Sequence, residues 1–172
     1  MQRNEKLILI RDIPAAIVDA LDGVMAAQSL MRVAVREIQE DFTPLLNEVG
    51  DPIVFVLSQP QNDWTACFSS LMPDDEWQLA EALAVGLEQP TVYAVFNDDA
   101  SAYAYRYFEN GVLHEERTPD EGENLNSDGM IERLASHGIP LDLIDDRTLN
   151  FGAEHILVGY SAERTPGSSD TA

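Results

Sequence analysis

Asp98 and Asp99 stand side by side between two apolar, aromatic runs, "TVYAVF" (91–96) and "AYAYRYF" (102–108). Adjacent carboxylates can accept hydrogen bonds from a basic partner or contribute to a cation site. Two alone are too few to hold a metal without backbone or distant oxygens. The connection "NDDAS" is also built from residue types that close turns through side-chain to backbone bonds, so the pair is expected to close a hairpin. Tyr103, Tyr105 and Tyr107 follow at every second position, which puts all three on one face of a strand. They read either as rings packed against a helix with their hydroxyls at the edge, or as an exposed aromatic ladder rimmed by acid. Asp98, Asp99, Tyr103, Tyr105 and Tyr107 are the candidate partner-binding residues.

Other familiar chemistry is missing from the sequence. No glycine-rich segment ends in Gly-Lys-Ser or Gly-Lys-Thr, and no Gly-x-Gly-x-x-Gly follows a strand. "GYSAE" (159–163) lacks the second glycine of a nucleophile elbow. His114, His137 and His155 are far apart, without the paired spacing of a zinc site. Cys67 sits among apolar neighbours in "TACF" and reads as a small buried hydrophobe. "DLIDDRTL" (142–149) clusters Asp142, Asp145, Asp146 and Arg147, which reads as a local ion-pair turn. The expectation is a non-enzymatic protein with no catalytic residue, metal ligand or cofactor.

Charge narrows the choice of partner. Thirty-one acidic residues against ten basic give −21 over 172 residues. The excess is uneven: residues 1–50 hold five basic and eight acidic side chains (−3), and residues 51–172 hold five and 23 (−18). Such a chain repels nucleic acid phosphates and anionic membranes and attracts basic proteins. Solubility or adaptation to salt would produce the same composition. One cysteine allows no internal disulfide, no apolar run reaches membrane-spanning length, and "MQRNEKLILIRDIP" lacks the apolar core and cleavage site of a secretion signal. A cytoplasmic protein is expected.

Several elements must position these residues. "KLILIRDI" (6–13), "PIVFVLS" (52–58), "WTACFSS" (64–70), "TVYAVF" and "EHILVGYS" read as strands. Pro14 opens a helix carrying Ile17, Leu21 and Val24 on one side. Met31, Val35, Ile38, Phe42, Leu45 and Val49 recur in steps of 4, 3, 4, 3, 4, which predicts a second helix, kinked or ended by Pro44 and stopped by Gly50 and Pro52. A third helix starts at Pro73 with Asp74, Asp75 and Glu76 at the positive end of its dipole and Trp77, Ala80, Ala84 and Leu87 inward. Asn110-Gly111 is a strong hairpin signal that sets Glu109 opposite Val112, Phe108 opposite Leu113 and Arg106 opposite Glu115. "MIERLASHG" is a short helix closed by Gly138. The pattern predicts one α+β domain over 1–162, with a largely antiparallel sheet and helices mainly on one side, followed by a disordered tail at 163–172.

Two resemblances add expectations. Residues 64–111, with a tryptophan, the helix "LAEALAVGL" and then "VYAVFNDDASAYAYRYFENG", resemble small acidic bacterial proteins that include immunity-like members. That resemblance implies a protein that binds and neutralises a basic partner, such as a toxin. Residues 7–42, in the order strand, Pro, helix, break and "VREIQEDF", resemble a ribbon-helix-helix module within a strand-helix-helix segment at 1–50. That resemblance implies a dimeric antitoxin or repressor whose strand enters the major groove, where Arg11 alone could read a base. A homodimer is compatible with either reading.

Overall fold

The computed structural model describes residues 4–47, 52–118, 126–145 and 153–162. The strands are β1 (Asn4–Ile10), β2 (Leu30–Ile38), β3 (Ile53–Ser58), β4 (Thr65–Ser69), β5 (Thr91–Asn97), β6 (Ala102–Glu109), β7 (Val112–Arg117) and β8 (His155–Ala162). They form an antiparallel sheet in the order β2-β8-β3-β4-β1-β5-β6-β7. The helices are α1 (Pro14–Ala26), α2 (Thr43–Leu46), α3 (Pro73–Leu87), α4 (Ser127–Ser136) and α5 (Leu141–Ile144). The fold is α+β, as the sequence predicts.

β1 lies near the middle of the sheet because neither of its faces can meet water. Ile8 and Ile10 point into one apolar layer and Leu7 and Leu9 into the other, and all four are fully buried. A strand with two apolar faces requires cover on both sides. The two long helices, α1 and α3, cover the first face through Ile17, Leu21, Met25, Leu79, Ala80, Leu83 and Ala84. The second face is closed by α4 (Met130, Ile131, Leu134), with Leu143 and Ile144 of α5 and Leu45 and Leu46 of α2 beside it.

The helix expected over 31–49 is corrected. Residues 30–38 form β2, an edge strand paired with β8 from Leu30 opposite Ala162 to Ile38 opposite His155, and only Thr43–Leu46 is helical after it. The 4-3-4 spacing misleads because Met31, Val33 and Val35 stay exposed at this edge, so their spacing records no buried helical stripe. The β-branched Val33 and Val35 and the alternation of Arg32, Ala34 and Arg36 suit an edge strand better. Val49, the last residue of that stripe, lies outside the described residues. The strand-helix-helix order at 1–50 therefore becomes strand-helix-strand followed by the short α2. β1 pairs with β4 on one side and β5 on the other, so the strand next to Arg11 has no free edge.

The β6–β7 hairpin forms at the expected turn. Asn110 and Gly111 have φ of +54° and +75°, and Glu109 faces Val112 with Phe108 facing Leu113. A bulge then skips His114, so Arg106 pairs with Glu116 in place of the expected Glu115, and Tyr107 faces Glu115. The tail at 163–172 and the residues Asp146 and Arg147 fall outside the described residues. A side chain at position 111 would be strained by the positive φ, and its Cβ would lie 3.4 Å from the Val85 Cα. Gly111→Val is expected to cost about 1–3 kcal/mol in urea unfolding; an unchanged midpoint would contradict this turn.

Candidate functional site

The three tyrosines lie on β6 with their rings in the apolar layer under α4. Tyr103 and Tyr105 are buried, and Tyr107 is half-buried. Each hydroxyl reaches an acid at the rim. Tyr103 donates to Asp98 Oδ1 at 2.7 Å, Tyr105 to Glu115, and Tyr107 to Glu109 Oε2 at 3.4 Å. The Tyr103 hydroxyl is pushed up to about 12, first by the bond to Asp98 and then by burial. Burial followed by the rim acids raises Tyr105 and Tyr107 as well. Of the two readings of the stripe, the rings follow the packed one, with polar tips at an acidic edge.

Glu115 ties that edge to α4. Besides Tyr105 it meets Arg133 Nη1 at 3.7 Å and His137 Nε2 at 3.2 Å, and the His137 ring stacks on Tyr107 with centroids 4.1 Å apart. The Asp98–Asp99 segment is a turn, as its residue types predict. Asn97 Oδ1 accepts from Ala100 N at 3.1 Å, Ser101 N donates to Asp98 O, and Ser101 has φ of +48°. Asp98 is half-exposed and Asp99 exposed. His155 is a core residue: its ring packs on Phe42, Nδ1 donates to Ala153 O at 2.7 Å, and burial holds its pKa down. Arg11 lies just beyond β1, where its backbone N–H donates to Pro90 O at 3.0 Å.

Sequence reasoning treated Glu76 only as a dipole-favoured acid of the first turn of α3. The side chain is fully buried. Pro73 starts the helix, and positions 76, 79, 80, 83 and 84 turn inward, so a carboxylate occupies the first place of the apolar stripe. That stripe is the signal that could have found it; Trp77, expected inward, sits at its margin. Glu76 Oε2 accepts from the Ser69 hydroxyl of β4 and lies 3.5 Å from Lys6 Nζ of β1, while Oε1 has no partner. Burial raises the carboxyl to about 7, against the opposing pull of Lys6 and Ser69. The hydroxyl of Tyr93 on β5 is likewise buried without a partner, and burial followed by the Glu76 charge raises it too.

The strand registers bring α3 and the β5–β6 turn to one end of the molecule. β4 runs antiparallel to β1 with Cys67 opposite Ile8, and β5 ends with Asn97 opposite Asn4. The chain therefore leaves β4 and β5 where β1 begins. Asp74 and Asp75 at the start of α3 and Asp98 and Asp99 in the turn share that end. There a pocket of about 240 Å³ opens between α3 and β5–β7, lined by Asp74, Trp77, Tyr93, Val95, Arg106 and Arg117 among others. Arg106 lies over the Trp77 ring with its guanidinium carbon 4.2 Å from the centroid, and its Nε donates to Glu116. Among the described residues no group of three or more His, Cys, Asp or Glu side chains is placed to hold a metal, and no helix is long and apolar enough to cross a membrane.

Comparison with protein-family models, curated proteins and solved structures found no match in any of the three.

Two outcomes follow from these environments. Glu76 has a folded-state pKa near 7, above its ordinary 4.5, so folding favours its protonated form. Its stability contribution is full below about pH 4.5 and is lost as pH rises through 7. Glu76→Gln should therefore raise the thermal midpoint at pH 8 and change it little at pH 4.5; equal effects at both would contradict the burial. Cys67 is fully buried, and burial pushes its thiol pKa up. A thiol reagent such as dithionitrobenzoate should label it only after unfolding, and prompt labelling of the folded chain would contradict its placement.

Proposed function

We propose that this chain is a partner-binding protein of the immunity or inhibitor type, which uses an acidic end to engage and neutralise a basic protein. The observation that carries the reading is the placing of Asp74–Asp75 and Asp98–Asp99, two pairs remote in sequence, at the same end of the sheet. The β5–β6 turn is tied down by the Tyr103–Asp98 bond, so its carboxylates form part of a shaped surface. A net charge of −21 extends the attraction beyond that surface. Such a field raises the rate of encounter with a positive partner more than it tightens the docked complex.

The test has two stages. Tagged protein captures partners from its host's lysate at physiological salt, and the basic protein retained is purified and its binding kinetics measured. Asp75→Lys/Asp99→Lys changes two exposed charges while sparing the Tyr103–Asp98 bond. The double variant should slow association by roughly tenfold at low salt, with the difference shrinking as salt rises and dissociation nearly unchanged. An unchanged association rate, or failure to retain any basic protein at physiological salt, would overturn the reading.

A further inference from the structure

We infer that the pocket between α3 and β5–β7 is a binding site for a small zwitterion, an α-amino acid with an apolar side chain. The inference does not rest on the partner-binding reading: the pocket opens at the same end and shares Asp74, but the ligand and the residues that would select it are different.

Three features of the lining select this chemistry. The first is size. At about 240 Å³ the cavity lies below the 300–1,000 Å³ usual for drug-sized ligands, so it suits a small metabolite. The second is charge. Arg106 and Arg117 line the same cavity as Asp74 in a chain that has ten basic residues in all. A simple anion would meet the guanidinium groups but also the repulsion of Asp74 and of the −21 chain. A simple cation would meet Asp74 but also two guanidinium groups. A zwitterion satisfies both, its carboxylate on the arginines and its ammonium on Asp74. A guanidinium carries five N–H donors, and the bond to Glu116 uses only Nε of Arg106. That bond and the Trp77 stack hold the Arg106 guanidinium in place before a ligand arrives.

The third feature is the wall. Trp77, Val95 and the ring of Tyr93 offer an apolar surface for the ligand's side chain. Tyr93 is also 5% exposed and carries a hydroxyl without a hydrogen-bond partner.

Calorimetric titration of the full chain with L-leucine tests the inference against two analogues of the same shape, 4-methylpentanoate without the ammonium and 3-methylbutylamine without the carboxylate. L-leucine should bind saturably, and each analogue should bind at least about tenfold more weakly, since each loses one of the ligand's two charged contacts. Arg117→Gln and Asp74→Asn should each weaken L-leucine binding by a similar factor, with Trp77 emission reporting occupancy. Lack of saturable L-leucine binding up to about 10 mM would overturn the inference. Equal binding of either analogue would overturn it too. The analogue comparison uses the unaltered protein, so a variant that fails to fold does not decide the matter.

Discussion

A carboxyl group in an apolar layer constrains this molecule more than any other single contact. Glu76 lies beneath α3, between Ser69 at the end of β4 and Lys6 on β1, and it joins the helix to two central strands. The arrangement is costly, because a carboxylate resists leaving water and only one of its oxygens is satisfied. Its effect is positional. It fixes the first turn of α3 against the beginning of β1, and that turn carries Asp74, Asp75 and Trp77. An apolar residue at position 76 could fill the volume, but it would not hold the helix start to a serine and a lysine.

The same logic recurs on the other face of the sheet. Tyr103, Tyr105 and Tyr107 send apolar rings inward and reach acids at the rim, so part of the acidic surface is tethered to the core. Tyr160 does likewise on β8, donating to Asp22 of α1 at 2.7 Å. In a chain of charge −21 the acids repel one another, and a tyrosine hydroxyl is a donor that brings no charge of its own. Each such bond fixes a carboxylate while leaving its charge in place, and the proposed engagement of a basic protein would draw on both properties.

Much of the fold was legible in the sequence because the buried strands are short apolar runs bounded by turn residues. β1, β3, β4, β5 and β8 announce themselves in this way, and Asn110-Gly111 specifies its hairpin. β2 was not legible. An edge strand with one partner leaves its apolar residues exposed, so hydrophobic periodicity carries no information about it. The register of β7 was half legible, since a bulge at His114 shifts every pair beyond Phe108–Leu113 by one residue. At the candidate site, the common face of the tyrosines and the turn at Asp98–Asp99 could be read directly. The bond between them, the placing of that turn and the start of α3 at one end of the sheet, and the pocket could not, because they depend on how the strands pair and pack. Glu76 was hidden by a rule that is usually right, that acids in a first helical turn serve the dipole at the surface.

The measurement that bears most directly on this account is the titration of the Glu76 side-chain carboxyl by carbon-detected NMR, assigned with Glu76→Gln. The account predicts a midpoint near 7, raised by burial. A midpoint at the ordinary 4.5 that Ser69→Ala and Lys6→Met leave unmoved would place the carboxyl in water and contradict the arrangement on which that end of the molecule depends.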